Sequence, residues 1–284
     1  MKKPVLASWI SICVLVWPFS GFSATPAVVQ RHTFEAGAEF YYMGYEEPGI
    51  MENTGFMSGL AGSYTYYRDY FVAKFDGRIA SGKVDYKSTS TGSQKDIWDS
   101  AFEIRGVVGY DFLNPAFYFK EADFSCIPYV GFGYRYLNDD SSGRITTTGY
   151  LGYERESMYL YVPVGVTGTK YFLSEQTQEE LWSLGGTLEW DFFCWGTQTS
   201  RLGDVNPAYS DIRNKQSEGF GVRGSLAFRN KTRQIDILFE PFFRYWHISQ
   251  SDQKTVSYAG TIWGQGYEPK NSTKEIGCKL AFIF

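Results

Sequence analysis

Histidine is nearly missing from this chain of 284 residues, which contains only His32 and His247. Cysteine is sparse as well, at Cys13, Cys126, Cys194 and Cys278, and no His/Cys spacing suits a metal. There is no glycine-rich phosphate loop and no serine nucleophile elbow. Gly131-Phe132-Gly133 is a strand doublet too short for a dinucleotide fingerprint. Lys and Arg are nowhere clustered and are outnumbered by Asp and Glu, 27 to 31, so nucleic-acid binding has no footprint. Beyond residue 19 no apolar run approaches the ~20 residues of a spanning helix, and mean hydropathy is -0.29. No cofactor or metal is therefore expected.

What the chain has in excess is aromatic: 22 Tyr, 23 Phe and 8 Trp, 19% of its residues. It opens with Lys2 and Lys3, an apolar stretch over residues 5–19 and small residues over 20–27, the pattern of a cleaved secretory signal peptide. Cleavage is expected near residues 23–27, giving a signal segment 1–24 and a mature region 25–284. Loss of Lys2 and Lys3 takes the formal charge from -4 to about -6. Ile12 before Cys13 departs from a lipoprotein signal.

The mature region alternates with a period of two. In the last run Ile276, Cys278, Leu280, Phe282 and Phe284 share one face, with Glu275, Gly277 and Lys279 on the other, the mark of a strand between two different environments. Nine earlier runs follow the same rule. The clearest set Phe71, Ala73, Phe75 and Ile79 against Lys74, Asp76 and Arg78, and Phe102, Ile104, Val108 and Tyr110 against Glu103 and Arg105. No Asp, Glu, Lys or Arg falls on the apolar faces. Apolar outside and charged inside is the signature of a membrane barrel, and a terminal aromatic closing an alternating strand resembles the assembly signal of Gram-negative outer-membrane β-barrels.

That resemblance implies an all-β, antiparallel up-and-down transmembrane barrel of about ten strands, between eight and twelve. Its partners would be outer-membrane lipid and lipopolysaccharide, and the barrel-assembly machinery through Ile276, Cys278, Leu280, Phe282 and Phe284. Connections near 67–70, 112–124, 172–180 and 230–234 read as short inner turns, and those near 81–97, 138–156, 196–217 and 249–272 as long outer loops. Phe117-Tyr118-Phe119 reads as an interfacial anchor. Pro128, Pro163 and Pro241 fall inside runs and cannot donate to a ladder, so they are expected at bulges or strand ends. Cys126, Cys194 and Cys278 lie on apolar parity, and no disulfide is expected.

The inward parity carries Glu35, Glu39, Asp76, Glu103, Glu189, Asp191, Asp236, Glu240 and Glu275 against Lys74, Arg78, Arg105, Arg135, Arg223, Arg229, Arg244 and Lys279. Their alternation by strand lets Lys74 and Arg78 meet Glu103, Arg223 meet Glu189 and Asp191, Arg244 meet Glu275, and Lys279 meet Glu35 or Glu39 across the closing seam. This reads as a charge-paired core, or as a narrow hydrophilic pathway for small solutes.

His247-Ile248-Ser249 resembles the His-x-Ser element of the lipid A 3-O-deacylases. That resemblance implies Ser249 as nucleophile, His247 as base and Glu268 as the orienting acid. Gln250 stands where that family has Asn, the acid's spacing differs, and this chain is longer. Tyr245, Trp246 and His247 read equally as part of an outer aromatic girdle. Asp139-Asp140 with His247 resembles parts of the omptin proteases, also ten-stranded, but Tyr245 breaks their Asp-x-His pattern. Residues 150–165 and 268–277 resemble barrel-type surface antigens and porin-like proteins. The expected function is non-enzymatic: surface interaction through the outer loops, or passage of small solutes.

Overall fold

The computed structural model describes residues 30–113, 124–174, 180–232 and 235–284. The expected signal segment and Phe117-Tyr118-Phe119 lie outside the described residues. The first half of the wall is built from β1 (Gln30–Glu47), β2 (Met51–Arg68), β3 (Phe71–Ser88), β4 (Gly92–Tyr110) and β5 (Phe124–Asp140). β6 (Glu154–Leu173) and β7 (Glu180–Ser200) follow. β8 (Ile212–Gln216) is a short strand on the edge of β7, and β9 (Gly219–Asn230) and β10 (Asp236–Ile248) return to the wall. β11 (Lys254–Tyr258) and β12 (Thr261–Gly266) form a separate hairpin, and β13 (Asn271–Ile283) ends the wall.

Each wall strand pairs antiparallel with its neighbours, β6 with β7 and β1 with β13, so ten strands close into a barrel with no free edge. Closure satisfies every ladder without water, which a bilayer cannot supply. The environments are inverted relative to a soluble protein. Outward-facing Phe132 is 77% exposed and Phe56 76%, whereas inward-facing Glu39 and Arg135 are fully buried. That surface suits lipid outside, with a polar interior held by pairing.

The seam has the register that the charge pattern implies. Lys279 stands opposite Glu39 in the β1–β13 ladder, and Phe34 and Phe284 exchange backbone hydrogen bonds at its end. Both the start of β1 and the end of β13 lie at the end of the barrel with the connections at 69–70, 111–123, 174–179 and 231–235, here called the turn end. The opposite, loop end carries the connections at 48–50, 89–91, 141–153, 201–218 and 249–270.

One expected loop is mostly strand. Residues 81–97 continue the β3–β4 ladder to a turn at 89–91, with one register shift near Val84. Outward residues there change from Phe71, Phe75 and Ile79 to Ser81, Lys83, Asp85 and Lys87, while Ala80, Val84 and Ile97 turn inward, so the apolar face switches sides and the outward apolar alternation no longer reports the strand. Wall strands of 17–21 residues are common here. About 9–11 residues suffice to cross a bilayer, so the wall extends past the apolar belt at the loop end.

The prolines interrupt ladders more than they bend strands. The β5–β6 ladder lapses at Gly131 and Phe132, near Pro163, and a register shift lies at Leu160/Tyr161. The β9–β10 ladder lapses at Glu240 and Pro241. Pro128 sits in the β5–β6 ladder opposite Val166 with no register shift, so the expected bulge is missing there. The cysteines Cys126, Cys194 and Cys278 are free.

Phe40 stands opposite Cys278 on the outward face of the seam. A Phe40→Cys variant is therefore expected to form a disulfide with Cys278 on mild oxidation, while Ala38→Cys, one outward position away, does not. Non-reducing peptide mapping reads the register, and a cross-link from Ala38→Cys alone would refute it.

Candidate functional site

The inward-facing charges meet in the middle of the barrel. Arg78 on β3 contacts Glu39 on β1 at 3.2 Å, Glu103 on β4 at 2.8 Å and Glu275 on β13 at 3.2 Å. Glu275 also accepts from Arg135 on β5 at 2.7 Å and from Arg244 on β10 at 3.0 Å, and Arg244 reaches Glu39 at 2.9 Å. Arg223 on β9 joins Glu103 and Asp191 at 2.8 Å each and Glu189 at 2.9 Å. β5 and β13 are on opposite sides of the ten-strand ring, as β4 and β9 nearly are, so these contacts cross the lumen. They do not merely lace neighbouring strands.

Aromatic rings fill the spaces between the guanidiniums. Arg135 lies over Trp246 at 5.2 Å, Arg223 over Tyr161 at 5.6 Å and Arg244 over Phe242 at 3.9 Å, and Tyr161 donates to Glu103 at 2.5 Å. A cation held against a ring face in a dry site gains more than an exposed one. Tyr161 packs against Gly133 on the neighbouring strand, where a Cβ would come within 2.1 Å of the ring.

Toward the loop end two apolar clusters lie on this ionic layer. One holds Tyr41, Met43, Met57, Ala80, Val84 and Ile97, and the other Tyr159, Tyr161, Trp246 and Ile248. Trp246 thereby corrects its expected place in the outer girdle: it is buried inside, because it shares the parity of Arg244 while Tyr245 and His247 take the opposite one. Beyond these clusters Arg155 ties together Glu47, Glu268 and Tyr45, and Asn53 donates to Asp139 at 2.5 Å. The inward alternation could have flagged Glu47 and Arg155, but they lie past the apolar belt, where no contrast between faces draws attention to them.

Toward the turn end the lumen widens into a cavity of about 930 Å³. Arg105 pairs there with Asp76 at 2.8 Å and Glu189 at 2.5 Å, and Lys279 with Glu35 at 2.5 Å and Glu240 at 2.6 Å. Arg229 pairs with Asp236. Of the expected pairs, Arg78–Glu103, Arg223–Glu189, Arg223–Asp191, Arg244–Glu275 and Lys279–Glu35 are present. Lys74 forms no such pair with Glu103 among the described residues.

Of His247, Ser249 and Glu268, the first and last face opposite sides of the wall. The His247 ring is on the outward face against Phe220, 5.7 Å between centroids. Ser249 follows the end of β10, its backbone N–H donating to the Glu218 carbonyl. The Glu268 carboxylate is turned inward to Arg155 and Tyr45, and its N–H donates to Ser251 Oγ at 2.8 Å. Asp139 likewise lies inside the wall and His247 outside it.

Comparison of folds gives this arrangement a context. The structure matches the outer membrane protease OmpT from Escherichia coli with a TM-score of 0.58 over 93% of this chain and 99% of that one, at 13% sequence identity. The chain has the fold of an outer-membrane barrel. OprG from Pseudomonas aeruginosa matches at a TM-score of 0.34 and 10% identity, covering 89% of this chain and 95% of that one. Neisserial surface protein A matches at 0.30 and 11% identity, covering 87% and 95%. No protein-family model matches the chain, and neither does any curated protein.

Two predictions follow from the packed charges. Glu275→Ala leaves Arg78, Arg135 and Arg244 undercompensated, and a loss of about 3–5 kcal/mol is expected from breaking a buried ionic cluster. Urea unfolding in lipid vesicles measures it, and a change under about 1 kcal/mol would show the cluster to be dispensable. Glu268 lies in the connection before β13, outside the apolar belt. Burial, with Glu47 close by, pushes its carboxyl up to about 7 against the pull of Arg155. A carboxyl raised in the folded state favours folding most at pH values below its unfolded pKa, and this contribution is lost as pH rises through the folded value. The loop end should therefore resist proteolysis better near pH 5 than near pH 8, and Glu268→Gln should flatten that dependence.

Proposed function

We propose that this protein is a sealed outer-membrane barrel that acts as a binding platform at the cell surface, with no conducting pathway and no catalytic role. The observation that carries this reading is the Arg135–Glu275 contact, which joins opposite walls inside a layer of ion pairs and rings. An aqueous pore needs a continuous polar path, whereas here two apolar clusters pack against the loop-end side of the ionic layer. Charges of both signs, mutually paired, also give no one-signed ring to select ions.

With the turn end in the periplasm, as its short connections such as 69–70 suit, the extended wall and the β11–β12 hairpin stand outside the cell. The hairpin turns through Ala259 and Gly260, both with positive φ, which suits a two-residue connection matched to strand twist. It presents Ile262 and Trp263, both well exposed, above Tyr209, whose ring meets Trp263 edge-on at 5.5 Å. Exposed apolar residues on a rigid hairpin support surface contact. Lipopolysaccharide would surround the belt, and the outward residues Ile276, Cys278, Leu280, Phe282 and Phe284 would engage the assembly machinery.

Planar-bilayer recording on refolded protein tests the sealed state. Silence across the full voltage range is the expected outcome, and reproducible discrete conductance steps would overturn it. Arg135→Ala combined with Trp246→Ala removes a cross-lumen contact and its ring, and should be the variant in which steps first emerge.

A further inference from the structure

On the loop-end side of the ionic layer the inward charges are out of balance. Among the described residues Glu47, Asp99, Asp139 and Glu268 face the lumen there, and Arg155 is the one inward cation that answers them. Its guanidinium is taken by Glu47 and Glu268, so it forms no ion pair with Asp139, although it stands opposite that residue in the β5–β6 ladder. The ionic layer has no cation to lend, because Arg78, Arg135, Arg223 and Arg244 are each held by its own carboxylates. Arg135 therefore acts on Asp99, and Arg155 on Asp139, only from beyond ion-pair distance.

Asp99 on β4 and Asp139 on β5 are also direct ladder partners. Residues so placed have Cβ atoms about 4.5–5.5 Å apart, and like charges there repel. Elsewhere an inward acid stands opposite a base or a neutral residue, as Glu103 stands opposite Arg135. Among the described residues no other inward pair sets acid against acid. A cavity of about 30 Å³ borders both carboxylates, with Asn53, Ser157 and Thr273 in its lining and Arg155 at its edge. At ~10–15 Å³ for a water-sized body, it has room for an ion and a water. Asn53 is 2% exposed and donates from Nδ2 to Asp139 Oδ2 at 2.5 Å, which fixes its amide. Its carbonyl Oδ1 and Asp139 Oδ1 are both buried and meet no donor. Oxygen acceptors from three strands thus border one small space, and nothing in the chain supplies the positive charge that would satisfy them.

We propose that Asp99, Asp139 and Asn53 bind one calcium ion, which ties β2, β4 and β5 together beneath the surface loops. The donors are all oxygen, carboxylate and carboxamide, with the hydroxyls of Ser157 and Thr273 in the same lining, and such a set suits a hard cation. Calcium accepts irregular oxygen shells, whereas magnesium demands a near-regular octahedron that side chains fixed on separate strands do not provide. Two carboxylates with a guanidinium nearby make a weak site, in the range of about 10⁻⁴–10⁻³ M found in extracellular modules. The site depends on neither the sealed lumen nor the surface contact.

Equilibrium dialysis of calcium against the refolded full chain, in detergent micelles free of lipopolysaccharide, tests the proposal. One saturable ion per chain is expected, with magnesium competing at least about tenfold less well. Asp99→Asn removes a ligand and should weaken binding about tenfold or more. It also relieves the repulsion with Asp139, so the variant should keep the heat-modifiable gel shift of the folded barrel without calcium. Asn53→Asp adds a carboxylate at the orphaned oxygen and should tighten binding by a similar factor, an effect opposite in sign to that of Asp99→Asn. Calcium should raise the unfolding temperature of the unaltered chain and leave that of Asp99→Asn unchanged. No saturable uptake below about 10 mM, well above that affinity range, would show that a shared proton rather than a cation settles the pair, and would overturn the proposal. Uptake indifferent to both substitutions would place the ion elsewhere and overturn it too, and competition by magnesium as strong as by calcium itself would overturn the assignment to calcium.

Discussion

Glu275 accepts from the guanidiniums of three different strands, Arg78, Arg135 and Arg244, and the contacts that span the lumen depend on that convergence. A barrel in lipid has no water with which to solvate inward charges unless it admits a channel. Burying a charge alone costs several kcal/mol, so the charges must either line a wet pore or satisfy one another. Here they satisfy one another across the diameter. The wall is then tied from within, and the ionic layer separates the space beneath it from the loop end.

This layer makes the two ends of the molecule physically distinct. On one side Tyr41, Met57 and Ile97, and Tyr159, Trp246 and Ile248, pack as they would in a soluble core. On the other the interior opens into a polar vestibule. The guanidiniums serve both sides, since Arg135, Arg223 and Arg244 bond to carboxylates and lie against rings of the packed half. The rigid interior supports strands that continue beyond the lipid belt, and with them the exposed hairpin of β11 and β12. The chain shares its fold with OmpT, and His247 is turned outward against Phe220 while Asp139 lies inside the wall.

Legibility in the sequence followed environmental contrast. Where lipid lies on one side and the lumen on the other, as along Phe71 to Ile79 or Ile276 to Phe284, alternation revealed the strand, its facing and even the seam register at Lys279. Past the belt that contrast inverts, polar residues turning outward and Val84 and Ile97 inward, and residues 81–97, strand for most of their length, read as loop. Glu47 and Arg155 were hidden because both faces are polar where they lie, and Glu268, read as an orienting acid, pairs instead with Arg155. Trp246 was misplaced because it stands in an aromatic triplet, Tyr245-Trp246-His247, whose members look alike in composition but alternate across the wall.

The sequence by itself determined the inverted barrel: period-two strands with no charge on the lipid side, a nearly balanced set of inward charges, and a last strand able to close on the first. Those features depend on each residue's own environment, which local pattern records. Only the tertiary structure decided that the inward charges meet across the lumen, because the reach of Arg135 to Glu275 depends on which strands face each other across the ring.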